Sequence, residues 1–146
     1  MSKILKSASV SFLLFIGDLI IVLAISITWY FIDHIFLNEK IRTLENYSSV
    51  YLLLFSMRFF YNLLITIIVF YFLIEKVSKP FELSLINSGV YIVTSLVFAL
   101  LLRFKLKDFS EFFTSIPFLL IVLATIISPL LLSFIPAFRK LVGIQQ

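Results

Sequence analysis

The sequence predicts an all-α integral membrane protein: four transmembrane helices in an antiparallel up-down bundle with short connectors. Three observations carry that expectation. Four apolar runs, about 7–32, 48–74, 83–102 and 112–138, fill most of the 146 residues. Each reaches the ~20 residues that a helix rising ~1.5 Å per residue needs to cross a ~30 Å hydrocarbon layer. The connectors between them are short and charged. A chain that is 62% hydrophobic with a mean hydropathy of +1.15 also carries more apolar surface than a soluble fold of this size can hide. A single four-span domain over residues 1–146 is expected.

The first run follows Lys3 and Lys6, a pattern that imitates a secretory signal. It is too long for a signal h-region of ~7–15 residues, contains Asp18 and ends in Trp29, Tyr30 and Phe31 rather than at a small-residue cleavage site. An uncleaved first span is expected, its aromatic end at the headgroup level. The connector 33–47 places Leu37, Ile41 and Leu44 at i, i+4, i+7, the spacing of a short helix lying on the membrane surface or of a plain solvated loop. The second run ends before Glu75, Lys76, Lys79 and Pro80. Pro80 disfavours helix at Lys79, so a tight turn should make spans two and three antiparallel neighbours. The third run gives way to Arg103, Lys105 and Lys107, which can snorkel to headgroups. Asp108 and Ser110 are candidate N-caps for the fourth helix. That helix contains Pro117, Pro129 and Pro136, and a kink is expected near Pro129, where the carbonyl of Thr125 loses its donor.

Orientation follows from the cations flanking the runs. With the N-terminus inside, Lys3, Lys6, Lys76, Lys79, Arg139 and Lys140 fall on the inner side and Lys40, Arg42, Arg103, Lys105 and Lys107 on the outer. That is little bias, and an even number of spans puts both termini on one side, taken as the inside. A bacterial inner membrane or a mitochondrial inner membrane would suit the Phe-rich composition equally. With 18 Phe against 3 Gly, bulky side chains are expected to hold the helices wide apart rather than in close small-residue contacts. The net charge of +4 reads as membrane-flanking, without the basic stripe of a nucleic-acid interface.

Asp18 and Arg58 are the charges set well inside apolar runs. A bare charge at the centre of a membrane helix costs at least ~2.5–3.5 kcal/mol, so each requires a partner. A buried ion pair, a partner on another chain, or a site coupling transport to proton or substrate movement would each supply one. Around them run polar stripes: Arg58, Asn62 and Thr66 with Tyr51 and Phe55 on the second run; Ser84, Asn87, Tyr91 and Thr94 or Ser95 on the third; Thr114, Thr125 and Ser128 on the fourth. Lipid cannot satisfy such stripes, so they should face inward or face a partner. The candidate network is therefore Asp18, Arg58, Asn62, Asn87, Tyr91 and Thr125.

The chain has no cysteine, which removes disulfides and thiolate chemistry. His34, the single histidine, stands beside Asp33 without the further ligands a metal site needs. The sequence carries no nucleophile–base set, HExxH, GxSxG or phosphate-binding loop. No enzymatic activity and no cofactor or metal is expected. The partners expected are membrane lipids and other membrane-protein subunits, not nucleic acid. The function expected is that of a non-catalytic structural or accessory subunit of a larger membrane complex. The rival is a small oligomeric transporter or channel component with Asp18 and Arg58 as coupling charges.

Overall fold

The structure, a computed structural model, describes residues 2–36, 62–101 and 106–144. All of its regular elements are helices: α1 (Lys3–Phe36), α2 (Leu63–Leu73), α3 (Pro80–Leu101), α4 (Leu106–Thr114), α5 (Ile116–Leu132) and α6 (Pro136–Val142).

Helix α1 begins where Ser2 Oγ accepts the Leu5 backbone N–H at 3.3 Å, an N-cap at the head of the chain. It then runs 34 residues, beyond the apolar run 7–32 at both ends. Hydropathy marks which residues suit lipid; it does not mark where a helix stops. Nothing between Lys3 and Phe36 breaks the backbone ladder, because no proline intervenes. Helix α2 falls in the described part of the second run; residues 37–61, which hold the rest of the first connector and the start of that run, lie outside the described residues. Helix α3 matches the third run closely. Pro80 occupies its first position, where a missing N–H is harmless, and Glu82 Oε2 accepts the N–H groups of Ser78 and Lys79 at 2.8 and 3.1 Å.

The fourth run departs from the expected single span over 112–138: it is three helices. Asp108 and Ser110 sit inside α4, and the cap of α5 is Ser115, whose Oγ accepts the Phe118 N–H at 3.4 Å. The helix continues through Pro129 without interruption. A sharp turn follows at 133–135, where Phe118–Leu132 and Pro136–Val142 make an angle of 101°. Ile135 explains the place. It precedes Pro136, which disfavours helical backbone there, and it takes φ −83°, ψ 116°.

Among the described residues two helices are long and apolar enough to cross a membrane, the 3–28 stretch of α1 and the whole of α3. The bent pair α5–α6 passes the same test only when taken together. The closest packing is of α3 on α5 and of α1 on α5, with α2 lying mainly on α1. The described core is divided along its length. One apolar cluster joins Val10 and Leu14 to Phe70, Ile74, Leu83, Phe138 and Val142. A second joins Val22 to Tyr91, Phe118, Ile121 and Ala124. Between positions 14 and 22 of α1, and between 83 and 91 of α3, lies a layer of a different kind.

Candidate functional site: a polar layer around Asp18

The buried face of α1 repeats at helical spacing as Ser7, Val10, Ser11, Leu14, Asp18 and Val22. Asp18 therefore points into the bundle with its neighbours on that face, and none of its surface is exposed. Its carboxylate is met from two other helices. Asn87 on α3 donates through Nδ2 to Oδ1 and Oδ2 at 3.3 and 3.2 Å. Ser128 on α5 donates its hydroxyl to Oδ1. Hydrogen bonds to a charged group contribute about 1.5–3 kcal/mol each, and such bonds offset part of the cost of holding a carboxyl group away from water.

Asn87 has a second duty. Its Nδ2 also lies 3.1 Å from the backbone oxygen of Thr125. Pro129, four residues on, has no N–H to give that oxygen. The Thr125 hydroxyl turns back to the Val122 carbonyl at 2.6 Å, so the gap is filled from the neighbouring helix. One turn earlier on α3, the Ser84 hydroxyl donates to the Ile126 carbonyl at 2.8 Å. Together these tie α3 to the backbone of α5.

The close approach of α1 to α5 is made by Gly17. A Cβ there would stand 3.1 Å from Leu132 Cδ1 and 3.2 Å from Ser128 Cβ. At this one place α1 and α5 meet through a small residue, a local exception to the bulky side chains expected between the helices. The Ser128 side chain is short, and beside this approach its hydroxyl reaches Asp18.

No known protein family, characterised protein or solved structure matches the chain. Its chemistry rests on its own residues.

Of the six candidate residues, the structure brings together Asp18, Asn87 and Thr125, the last through its carbonyl rather than its hydroxyl. Asn62 and Thr66 are buried one helix away, with the Thr66 hydroxyl bonded to the Asn62 carbonyl at 2.6 Å and to its Oδ1 at 2.9 Å. Asn62 and Asn87 both line a small cleft with Ser11, Phe15, Leu63 and Thr66. The ring of Tyr91 belongs to the apolar cluster beyond the layer, where it stacks on Phe118 with centroids 5.5 Å apart. Arg58, with Tyr51 and Phe55, lies outside the described residues, as do the side chains of Asp33 and His34. Thr114 is exposed, and the Thr94 hydroxyl turns back to the carbonyls of Val90 and Tyr91. Among the described residues no three His, Asp or Glu side chains gather to hold a metal ion.

The sequence reading missed Ser11 and Gly17. Ser11 was within reach, since it stands seven residues before Asp18 and so shares its face. Gly17 carried no signal beyond its place beside Asp18.

At one end of the bundle the charges gather. The Lys3 ammonium bonds Glu75 at 2.8 Å and stands 5.2 Å from the centre of the Tyr71 ring. This contact with Lys3 holds the Glu75 carboxyl below its ordinary value, first through the hydrogen bond and then through the charge. The Lys6 ammonium lies 3.8 Å from the point where a Cβ of Gly143 would sit. The start of α1, the turn after α2 and the end of α6 therefore share one end.

Proposed function

We propose that this protein is a four-span membrane protein serving as a non-catalytic accessory subunit of a larger membrane assembly. The second and fourth crossings are the run at 48–74 and the α5 region. Both ends of the described chain lie on the side that carries Lys3, Lys6, Lys76, Lys79, Arg139 and Lys140. The gathering of Lys3, Glu75, Lys6 and Gly143 at one end supports that arrangement.

The observation that carries the functional reading is the use made of Asp18. Its oxygens are taken up by Asn87 and Ser128, so the acid joins α1, α3 and α5 as a structural tie. The outward faces are apolar: Ile20, Leu23 and Ile27 of α1 and Val93, Val97 and Leu100 of α3 are all well exposed. Such faces suit lipid and the flanks of other transmembrane helices. Because Asp18 finds donors within the chain, association with a partner would rest on these apolar faces rather than on a search for a counter-charge.

A second reading, a small oligomeric transporter component, draws on the polar cleft beside Asn87. Asp18→Asn separates the two. The amide keeps the shape and loses the titratable proton. Extraction in mild detergent followed by native mass analysis should show the chain in a hetero-complex. Asp18→Asn should reduce the amount of that complex or leave it unchanged, with no flux attributable to the purified protein in proteoliposomes. A wild-type flux that Asp18→Asn abolishes at normal complex abundance would favour the transporter.

A further inference from the structure

The cleft lined by Ser11, Phe15, Asn62, Leu63, Thr66 and Asn87 holds two polar atoms without a partner. They are the Asn62 side-chain amide nitrogen and the Ser11 hydroxyl, on residues 5% and 1% exposed. Both belong to residues lining the same space, and they come from different helices, α1 and the head of α2. A buried donor left bare costs about 1–3 kcal/mol, and more where lipid replaces water outside, so two of them in one place need an occupant.

The chemistry of the lining selects it. Asn62 Oδ1 is occupied by the Thr66 hydroxyl, which leaves the amide as a pure donor. Asn87 spends its nitrogen on Asp18 and on Thr125, which leaves its own Oδ1 as an acceptor. Ser11 can serve as either. The occupant must therefore accept from Asn62 and donate to Asn87, and it must be neutral, since the cleft is lined by uncharged side chains. The space has room for about one water-sized molecule.

We propose that this cleft is a hydration site, occupied by a single ordered water that bonds Ser11, Asn62 and Asn87. The water joins α2 to the Asp18 layer through Asn87, so that the polar layer spans four helices rather than three. It lies in the cleft that both the α2 amide and the side chain holding the carboxylate line. This role is independent of whether the protein is a subunit or a transporter.

The site is tested in the intact protein, reconstituted in lipid bilayers and labelled with nitrogen-15 in its asparagine side chains. Water-edited solid-state NMR should show rapid polarisation transfer from water to the Asn62 side-chain amide, as fast as to amides at the membrane surface. Thermal denaturation gives the second arm. With a water in place, Ser11→Ala and Asn62→Leu should each lower the midpoint by about 2–5 °C, because each strips the water of a partner. In a dry cleft Ser11→Ala removes an unsatisfied polar atom and should raise the midpoint, whereas Asn62→Leu also takes the Oδ1 acceptor from the Thr66 hydroxyl and lowers it in either case. Slow transfer to Asn62, or a raised midpoint for Ser11→Ala, overturns the proposal. Where Asn62→Leu fails to fold, the wild-type transfer rate and the Ser11→Ala midpoint decide it.

Discussion

The side-chain amide of Asn87 lies 3.1 Å from the carbonyl of Thr125, the oxygen that Pro129 leaves without its helical donor. A defect in one helix is thus repaired by a residue of another, and the same nitrogen reaches Asp18. Proline inside α5 is tolerated because α3 supplies what the backbone lacks.

Asn87→Leu should be the most damaging single change among the polar residues. It strips Asp18 of a donor and reopens the gap at Thr125 in one step. A loss of about 2–3 kcal/mol is expected, taking the range for hydrogen bonds to charged groups. Reversible unfolding in mixed micelles measures it. A loss no greater than that for Thr94→Val, whose hydroxyl bonds only its own helix, would count against the role assigned to Asn87.

Pro129→Ala restores an N–H for Thr125. Its effect should therefore depend on residue 87. In the wild-type background Asn87 already serves the carbonyl, whereas in Asn87→Leu the new donor repairs the gap. The double-mutant cycle should show a favourable coupling of roughly 0.5–1 kcal/mol. Additive effects would mean that the two sites do not share the Thr125 oxygen.

Gly17→Ala should be mildly destabilising, because the flexible end of Leu132 can yield a few tenths of an ångström, whereas the Ser128 Cβ sits closer to the backbone. Gly17→Val has less room and should cost about 1–3 kcal/mol, as overpacked positions do. It should also pull Ser128 away from Asp18. Under that arrangement Ser128→Ala ought to cost less in the Gly17→Val background than in the wild type.

The Lys3–Glu75 pair should give a pH-dependent contribution of definite sign. The folded Glu75 carboxyl is held below its ordinary value of 4.5. Its stabilisation is therefore fully present above about 4.5 and is lost as the pH falls through the lower folded value. The difference in thermal midpoint between wild type and Glu75→Gln should be steady near neutrality, shrink on acidification below 4.5 and diminish with added salt. Both groups are partly or largely exposed, so the difference should be small.

The apolar runs announced helices well, because a span has to be long and uniformly apolar to satisfy its own backbone in lipid. Helix α3 was placed to within three residues at its start. Where the reading failed, chain geometry overrode hydropathy. The runs said nothing about the extra turns at either end of α1. They also concealed the turn at Ile135, which depends on one pre-proline residue and not on polarity. The inward asparagines and Asp18 were legible from their spacing and from the cost of stranding polar groups in lipid. Which atoms they bond was not. The Thr125 oxygen became an acceptor only once α3 and α5 were laid side by side, and Tyr91, on the same stripe as Asn87, went to the aromatic cluster because Phe118 stands opposite it. Gly17 illustrates the limit most simply, since its importance belongs to Leu132 and Ser128, more than a hundred residues away in the chain.

The polar layer lies between two apolar clusters, and this restricts how the bundle can move. If α3 slid past α1 by one helical turn, about 5.4 Å, Asn87 would face Leu14 or Val22 and both partners would lose their bonds at once. Intermediate positions offer little substitute, because the clusters on either side are almost wholly apolar, the Tyr91 hydroxyl being the polar group among their buried members. The layer therefore works as a detent: α1, α3 and α5 have a single stable longitudinal setting, and sliding is opposed in both directions. Whatever flexing the protein undergoes must then be rotation or tilting about that fixed level, with the largest displacements at the two ends of the helices and the smallest at Asp18.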